Sequence, residues 1–171
     1  NSLIVASAST FVSVLFSSMA AYSLVRLRYL YRDWLGRLIL FTYLTPSALL
    51  FIPLSVIIAR LELGNTLHGL IFIYLTFAAP LSTWLLMGYF KGIPVELEEQ
   101  ARVDGATRLQ AFVRILLPLT TPGLIAVSVF TFTAAWNEFL FALIFITSPS
   151  LQTVPVAIGY LITGDVFRWG L

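Results

Sequence analysis

The sequence predicts an all-α fold: a polytopic transmembrane helical bundle with about four full spans and a cytoplasmic helical hairpin. Three observations predict it. The chain is 59% hydrophobic and 11% charged, whereas globular domains run near 45–50% apolar and about 25% charged, so charge is too scarce to cover a soluble surface. Four stretches hold roughly the 20 mostly apolar residues that a helix needs to cross a hydrocarbon core. Basic residues gather in two segments, as the connections on one membrane face do.

The first predicted span, residues 3–25, is uncharged and stops at Arg26-Leu27-Arg28. A signal peptide carries its basic cluster before the apolar run, and here the order is reversed. Ser7, Ser9, Ser13, Ser17, Ser18 and Ser23 punctuate this span, which suits close helix packing through small faces. The second span, residues 38–59, lies between Arg37 and Arg60, and the third, residues 69–90, ends at Lys91. Pro46, Pro53 and Pro80 interrupt these two, and transmembrane helices tolerate such prolines. The fourth span, residues 122–146, is broken by one acid, Glu138. Residues 151–163 are apolar but too short to cross and contain Pro155, so they read as a loop or re-entrant piece.

Eight of the ten basic residues fall in residues 26–37 and 91–118, which places both segments in the cytoplasm. Arg60 and Arg168 mark the opposite face, together with the first residue and the last stretch. The expectation is a chain lacking one preceding and one closing span.

Several functions are excluded. A net charge of +2 without a basic stripe does not suit nucleic acid. The absence of cysteine excludes disulfides, thiol nucleophiles and thiolate metal sites. A single histidine, His68, leaves little for a metal site or a Ser-His-Asp triad, and it reads as a solvated interfacial residue. No phosphate-binding G-x-x-x-x-G-K-[ST] loop is present, so energy has to come from a partner. A secondary transporter would place several ionisable groups along its spans, and only Glu138 is there.

Residues 91–122 carry four basic and four acidic side chains in a chain that otherwise avoids charge. The pattern predicts two short helices joined by a tight turn. Pro94 suits a first helical position, and Glu96, Glu98 and Glu99 suit the positive end of the dipole. Val95, Leu97, Ala101 and Val103 supply apolar contacts. Asp104-Gly105 ends the first helix, and Thr107 with Gln110 forms a capping box for the second. That helix carries Leu109, Phe112, Ile115 and Leu116 on one side and stops near Pro118. Such a hairpin is shaped to enter a groove on a partner.

Glu99-Gln100-Ala101, Gly105 and Ile115-Leu116-Leu117-Pro118 resemble the EAA signature of ABC importer permeases (Glu-Ala-Ala, three residues, Gly, nine residues, Ile-x-Leu-Pro), with Gln100 replacing an Ala. Ala20-Ala21-Tyr22-Ser23-Leu24, Ile93-Pro94, Trp136-Asn137-Glu138-Phe139 and Thr153-Val154-Pro155 are similar to the carbohydrate, maltose-type branch. The resemblance implies a type I ABC importer permease fold of six spans, these four being the second to fifth. It implies partners too: two cytoplasmic ATP-binding subunits, a second permease subunit, an extracytoplasmic solute-binding protein and the prokaryotic inner membrane. No cofactor and no enzymatic activity of its own are implied. Glu99, Ala101, Asp104 and Gly105 would dock in a cleft of the ATP-hydrolysing subunit, and Ile115 and Pro118 would set the exit from the loop. Trp136, Asn137, Glu138 and Phe139 combine flat apolar faces with hydrogen-bonding groups, which suits a sugar. The competing reading makes them an aromatic belt, with Glu138 snorkelling to water or pairing with the partner subunit. A permease for a non-sugar solute shares the EAA pattern and stays open.

Overall fold

The computed structural model describes residues 1–163 and 166–167; Arg168 and the Trp169-Gly170-Leu171 end, assigned above to the outer face, lie outside them. Its helices are α1 (Ser2–Arg26), α2 (Arg32–Leu44), α3 (Phe51–Arg60), α4 (Leu67–Lys91), α5 (Glu96–Val103), α6 (Arg108–Ala111), α7 (Leu117–Leu119), α8 (Thr121–Trp136), α9 (Leu140–Phe145) and α10 (Val154–Leu161). A π-helical turn, Phe112–Leu116, joins α6 to α7. Ile162–Thr163 and Val166–Phe167 form a minimal antiparallel pairing.

Among the described residues, only α1 and α4 are long and apolar enough to cross a bilayer unbroken. Neither of the other two expected spans is one continuous helix. The second divides into α2 and α3, which meet at 93°; Pro46 stands at the break because its ring cannot continue the helix and forces its predecessor out of the α region. Pro80, by contrast, stays inside α4. The expected fourth span ends at Trp136, and the short α9 follows after a break. Residues 151–163 are mostly the helix α10 rather than a loop.

The spans meet along a seam of small residues. Ser9 and Ser13 are fully buried in α1, with Ser17 and Ser18 nearly so, while Ser7 faces outward. Ser13 Oγ donates to Ser82 Oγ at 3.3 Å, Ser82 shares a 2.9 Å bond with Thr131 Oγ1 of α8, and Ser17 Oγ donates to the Ala79 carbonyl at 2.9 Å. This hydroxyl layer separates two apolar clusters. One contains Val5, Ile58, Ile73, Tyr74, Phe141 and Val156. The other contains Ala21, Leu86, Phe90, Phe112, Leu116 and Val127.

The two ends of the bundle are distinct. At one, Asn65 Oδ1 accepts from the amides of Thr147 and Ser148 at 3.0 and 2.9 Å, and Asn1 Nδ2 donates to the Ser150 carbonyl at 2.8 Å. At the other, α1 reaches the hairpin of residues 91–122 through Tyr22 and Arg26. The two basic segments therefore share one end. Gly88 and Gly92 of α4 show a small-xxx-small spacing, but a Cβ on Gly88 meets nothing of this chain within 4 Å. The close approach is at Gly123, where a Cβ would stand 2.5 Å from the Tyr89 ring. Gly123→Ala is expected to destabilise the bundle by about 1–3 kcal/mol through overpacking. Gly88→Ala is expected to stay within about 1 kcal/mol of the parent. Thermal unfolding in detergent distinguishes the two.

Candidate functional site

The hairpin forms as its residues dictate. Asp104 caps α5 and Gly105 follows at φ +92°, a backbone that side-chain-bearing residues rarely adopt. The Ala106 amide donates to Ala101 O at 2.9 Å and the Gly105 amide to Arg102 O at 3.1 Å, the paired bonds of a Schellman cap. The capping box is present: Gln110 N donates to Thr107 Oγ1 at 3.2 Å, and Thr107 N donates to Gln110 Oε1 at 2.8 Å. Both chain reversals are thus closed by hydrogen bonds, which stiffens the turn. Pro94 stands two residues ahead of α5 rather than at its first position.

The packing of α5 is the reverse of the expectation. Val95, Leu97 and Val103 were expected to supply apolar contacts, yet they are exposed, Val103 at 87%, and so is Leu109 of α6 at 66%. The buried residue of α5 is Glu98, at 4% exposure. It accepts from Arg26 Nε of α1 at 2.6 Å, and Arg26 Nη2 donates to the Ile93 carbonyl at 2.7 Å. Tyr22, one turn earlier, stacks obliquely on Phe112 with centroids 4.6 Å apart and reaches the Arg108 carbonyl at 3.5 Å. Both arms of the hairpin are therefore tied to the last turn of α1.

Among the predicted docking residues, Glu99, Asp104 and Gly105 are exposed, and Ala101 is half-buried. Ile115 is half-buried and Pro118 exposed at the exit, where the chain bends 76° into α8 at Thr120. Thr120 Oγ1 donates to the Leu116 carbonyl at 2.8 Å and so supports that bend. Gln100 is exposed, so its departure from the Ala of the motif disturbs no internal contact.

Trp136, Asn137, Glu138 and Phe139 do not converge. Trp136 stacks on Phe132 with centroids 5.8 Å apart. Asn137 Nδ2 donates to the Thr133 carbonyl at 2.9 Å, closing the end of α8. Phe139 leans toward Gly159 of α10, whose added Cβ would stand 3.0 Å from its ring. Glu138 alone faces a cavity of about 340 Å³ bounded by α2, α4, α8 and α9, with Thr42, Thr76, Phe77, Phe130 and Thr131 in its wall. Its carboxylate accepts from Tyr74 Oη at 2.9 Å, from the Phe141 amide at 2.9 Å and from the Ala142 amide at 3.1 Å. Those bonds cap α9 with negative charge at its positive end. Glu138 is paired, and it is paired within its own chain.

Sequence reasoning missed Glu98 and Tyr74. Arg26 was visible as the first charge after an apolar run, four residues beyond Tyr22 and so on the same helical face. Nothing local singled out Glu98 from Glu96 and Glu99.

The model of the family described as "Binding-protein-dependent transport system inner membrane component" matches residues 13–164. The chain belongs to that family. Similar proteins include the trehalose/maltose transport system permease of Thermococcus litoralis, 38% identical over 99% of this chain and 62% of its own length. The sulfoquinovosyl glycerol transport system permease of Agrobacterium fabrum is 38% identical over 99% of this chain and 59% of its own. The chain thus spans about three fifths of these relatives. A solved structure of a bacterial ABC transporter involved in import of the acidic polysaccharide alginate superposes with a TM-score of 0.78, at 24% identity, over 94% of this chain and 55% of that one. It shares the fold. Within this permease family member, Glu138 is expected to stabilise the α8–α9 break: Glu138→Ala should cost about 1–2 kcal/mol through the lost cap. Tyr74→Phe, which removes one of three donors, should cost about 0.5–1.5 kcal/mol. Thermal unfolding of the purified subunit reads both.

Proposed function

We propose that the chain is the core of a membrane-spanning permease subunit in an ATP-driven, binding-protein-dependent importer. It forms half of a translocation path for a sugar or related small carbohydrate. Two cytoplasmic ATP-binding subunits, a second permease subunit and an extracytoplasmic solute-binding protein complete the assembly, with residues 26–37 and 91–118 on the cytoplasmic side. The observation that carries this reading is the hairpin. Its turn is closed by a Schellman cap and a capping box, and apolar Val103 and Leu109 stand outward beside exposed Glu99 and Asp104. An exposed apolar pair on a stiff, acid-flanked turn fits a groove on a protein partner, and clustered acids disfavour an anionic lipid surface. A carbohydrate cargo is supported by the relatives named for trehalose/maltose and sulfoquinovosyl glycerol transport. The cavity wall, with threonine hydroxyls beside aromatic rings, suits a hydroxyl-rich molecule with an apolar face.

In this reading ATP binding closes the two motor subunits, and each hairpin is carried with its cleft. Shifting an inward/outward equilibrium from 1:99 to 99:1 takes about 5.5 kcal/mol of differential binding, and a capped turn transmits that load where a loose loop would yield. Glu99, Ala101, Asp104 and Gly105 are the proposed docking residues, Ile115 and Pro118 shape the exit, and Glu138 borders the path.

The test is co-purification of the full-length subunit with its neighbours, followed by ATPase assays with and without candidate sugars and binding protein. Sugar-dependent stimulation is expected; hydrolysis indifferent to every sugar would sink the carbohydrate assignment. Val103→Glu is expected to weaken retention of the ATP-hydrolysing subunit by about tenfold or more, as loss of a buried apolar anchor does. Quantitative pull-down at matched membrane levels measures it.

A further inference from the structure

The hairpin is joined covalently to α4 and α8, and these connections alone would let it pull those two spans. The structure adds a third connection. Arg26, on the final turn of α1, bridges Glu98 at 2.6 Å and the Ile93 carbonyl at 2.7 Å. Both charged side chains are nearly withdrawn from solvent, at 11% and 5% exposure. A pair so buried is costly to desolvate, and losing one partner strands a charge in a low-dielectric site. The Arg32–Asp33 pair is different in kind, since its members are adjacent in sequence and exposed at 36% and 74%. It holds nothing distant together.

The position of the buried pair is informative. Arg26 spans the start of the hairpin at Ile93 and the middle of α5 at Glu98, while Tyr22 contacts the second arm at Arg108 and Phe112. Arg26 and Glu98 are 72 residues apart, so neither α5's own folding nor the capped turn requires them to meet. Hydrogen bonds from two different guanidinium nitrogens fix direction as well as distance. A displacement of α5 is therefore passed to α1.

We propose that the Arg26–Glu98 pair is a positioning latch that makes the end of α1 move with the hairpin, so that α1 joins the spans driven by the motor. This rests on the function proposed above and adds the route by which force enters the bundle. Neither residue lines the cavity beside Glu138. Their effect is on coupling rather than on binding or hydrolysis.

The experiment uses the complete transporter, reconstituted in lipid vesicles with its binding protein and a transported sugar. Glu98→Gln removes the charge while keeping an acceptor, and Arg26→Lys keeps the charge while losing the planar fork. Both variants are expected to assemble and retain basal ATP hydrolysis. Stimulation by loaded binding protein should fall on the order of tenfold, the scale of an ordinary coupling free energy, with sugar uptake falling in parallel. The double variant Arg26→Glu with Glu98→Arg is expected to regain part of the stimulation that either single reversal loses. Normal stimulation in both single variants overturns the proposal. So does failure of both to assemble, which would make the pair a folding contact. A wild-type subunit that retains no ATP-hydrolysing partner defeats the functional reading itself, whereas a coupled wild type with unaffected variants defeats the latch alone.

Discussion

The bundle depends on how closely α1 can approach α4. Inside a bilayer, lipid tails are as apolar as leucine, so apolar contact between helices gains little and association rests on tight packing and interhelical hydrogen bonds. Ala6, Ser9, Ser13, Ser17 and Ala21 make one buried stripe along α1, each within a turn of the next. Side chains this small let the helices touch, and the Ser13 and Ser17 hydroxyls link α1 to Ser82 and Ala79 of α4 and, through Ser82, to Thr131 of α8. The contact also aims the ends of α1. One end brings Ser2 Oγ to the Val154 amide at 2.6 Å; the other brings Tyr22 and Arg26 to the hairpin.

Along α5 the usual arrangement of polarity is inverted. Glu98 is buried and Val103 is exposed, as is Leu109 of α6. Burying a carboxylate without its partner would cost several kcal/mol, so the inversion persists only because Arg26 is delivered there by α1. Exposed apolar side chains on a stiff turn have little internal purpose. The two features fit together: the charge anchors the hairpin inward, and the apolar residues are left free to meet another surface.

Interruptions of the spans follow one rule, that backbone groups released from a helix find partners nearby. Asn137 closes the end of α8 and Glu138 opens α9. The residues that resemble a sugar-binding quartet are, in this chain, mostly the closure of such a break, and only Glu138 also reaches the cavity.

The amino-acid sequence by itself determined what local chemistry controls. Hydropathy and charge marked where apolar helices stop. Gly105, Thr107 and Gln110 specified the turn, because cap geometry is set by residues within one helical turn. The spacing from Glu99 to Pro118 carried the family. Tertiary structure alone decided which of three neighbouring glutamates is buried, that α5 turns its apolar residues outward, and that Glu138 pairs with Tyr74. It also decided that one span bends at Pro46 and another breaks near Glu138, while α4 runs through Pro80. Each of these depends on how segments distant in the sequence pack against one another. Burial of a charge is settled by the group that meets it in space, and no periodicity along the chain records that meeting.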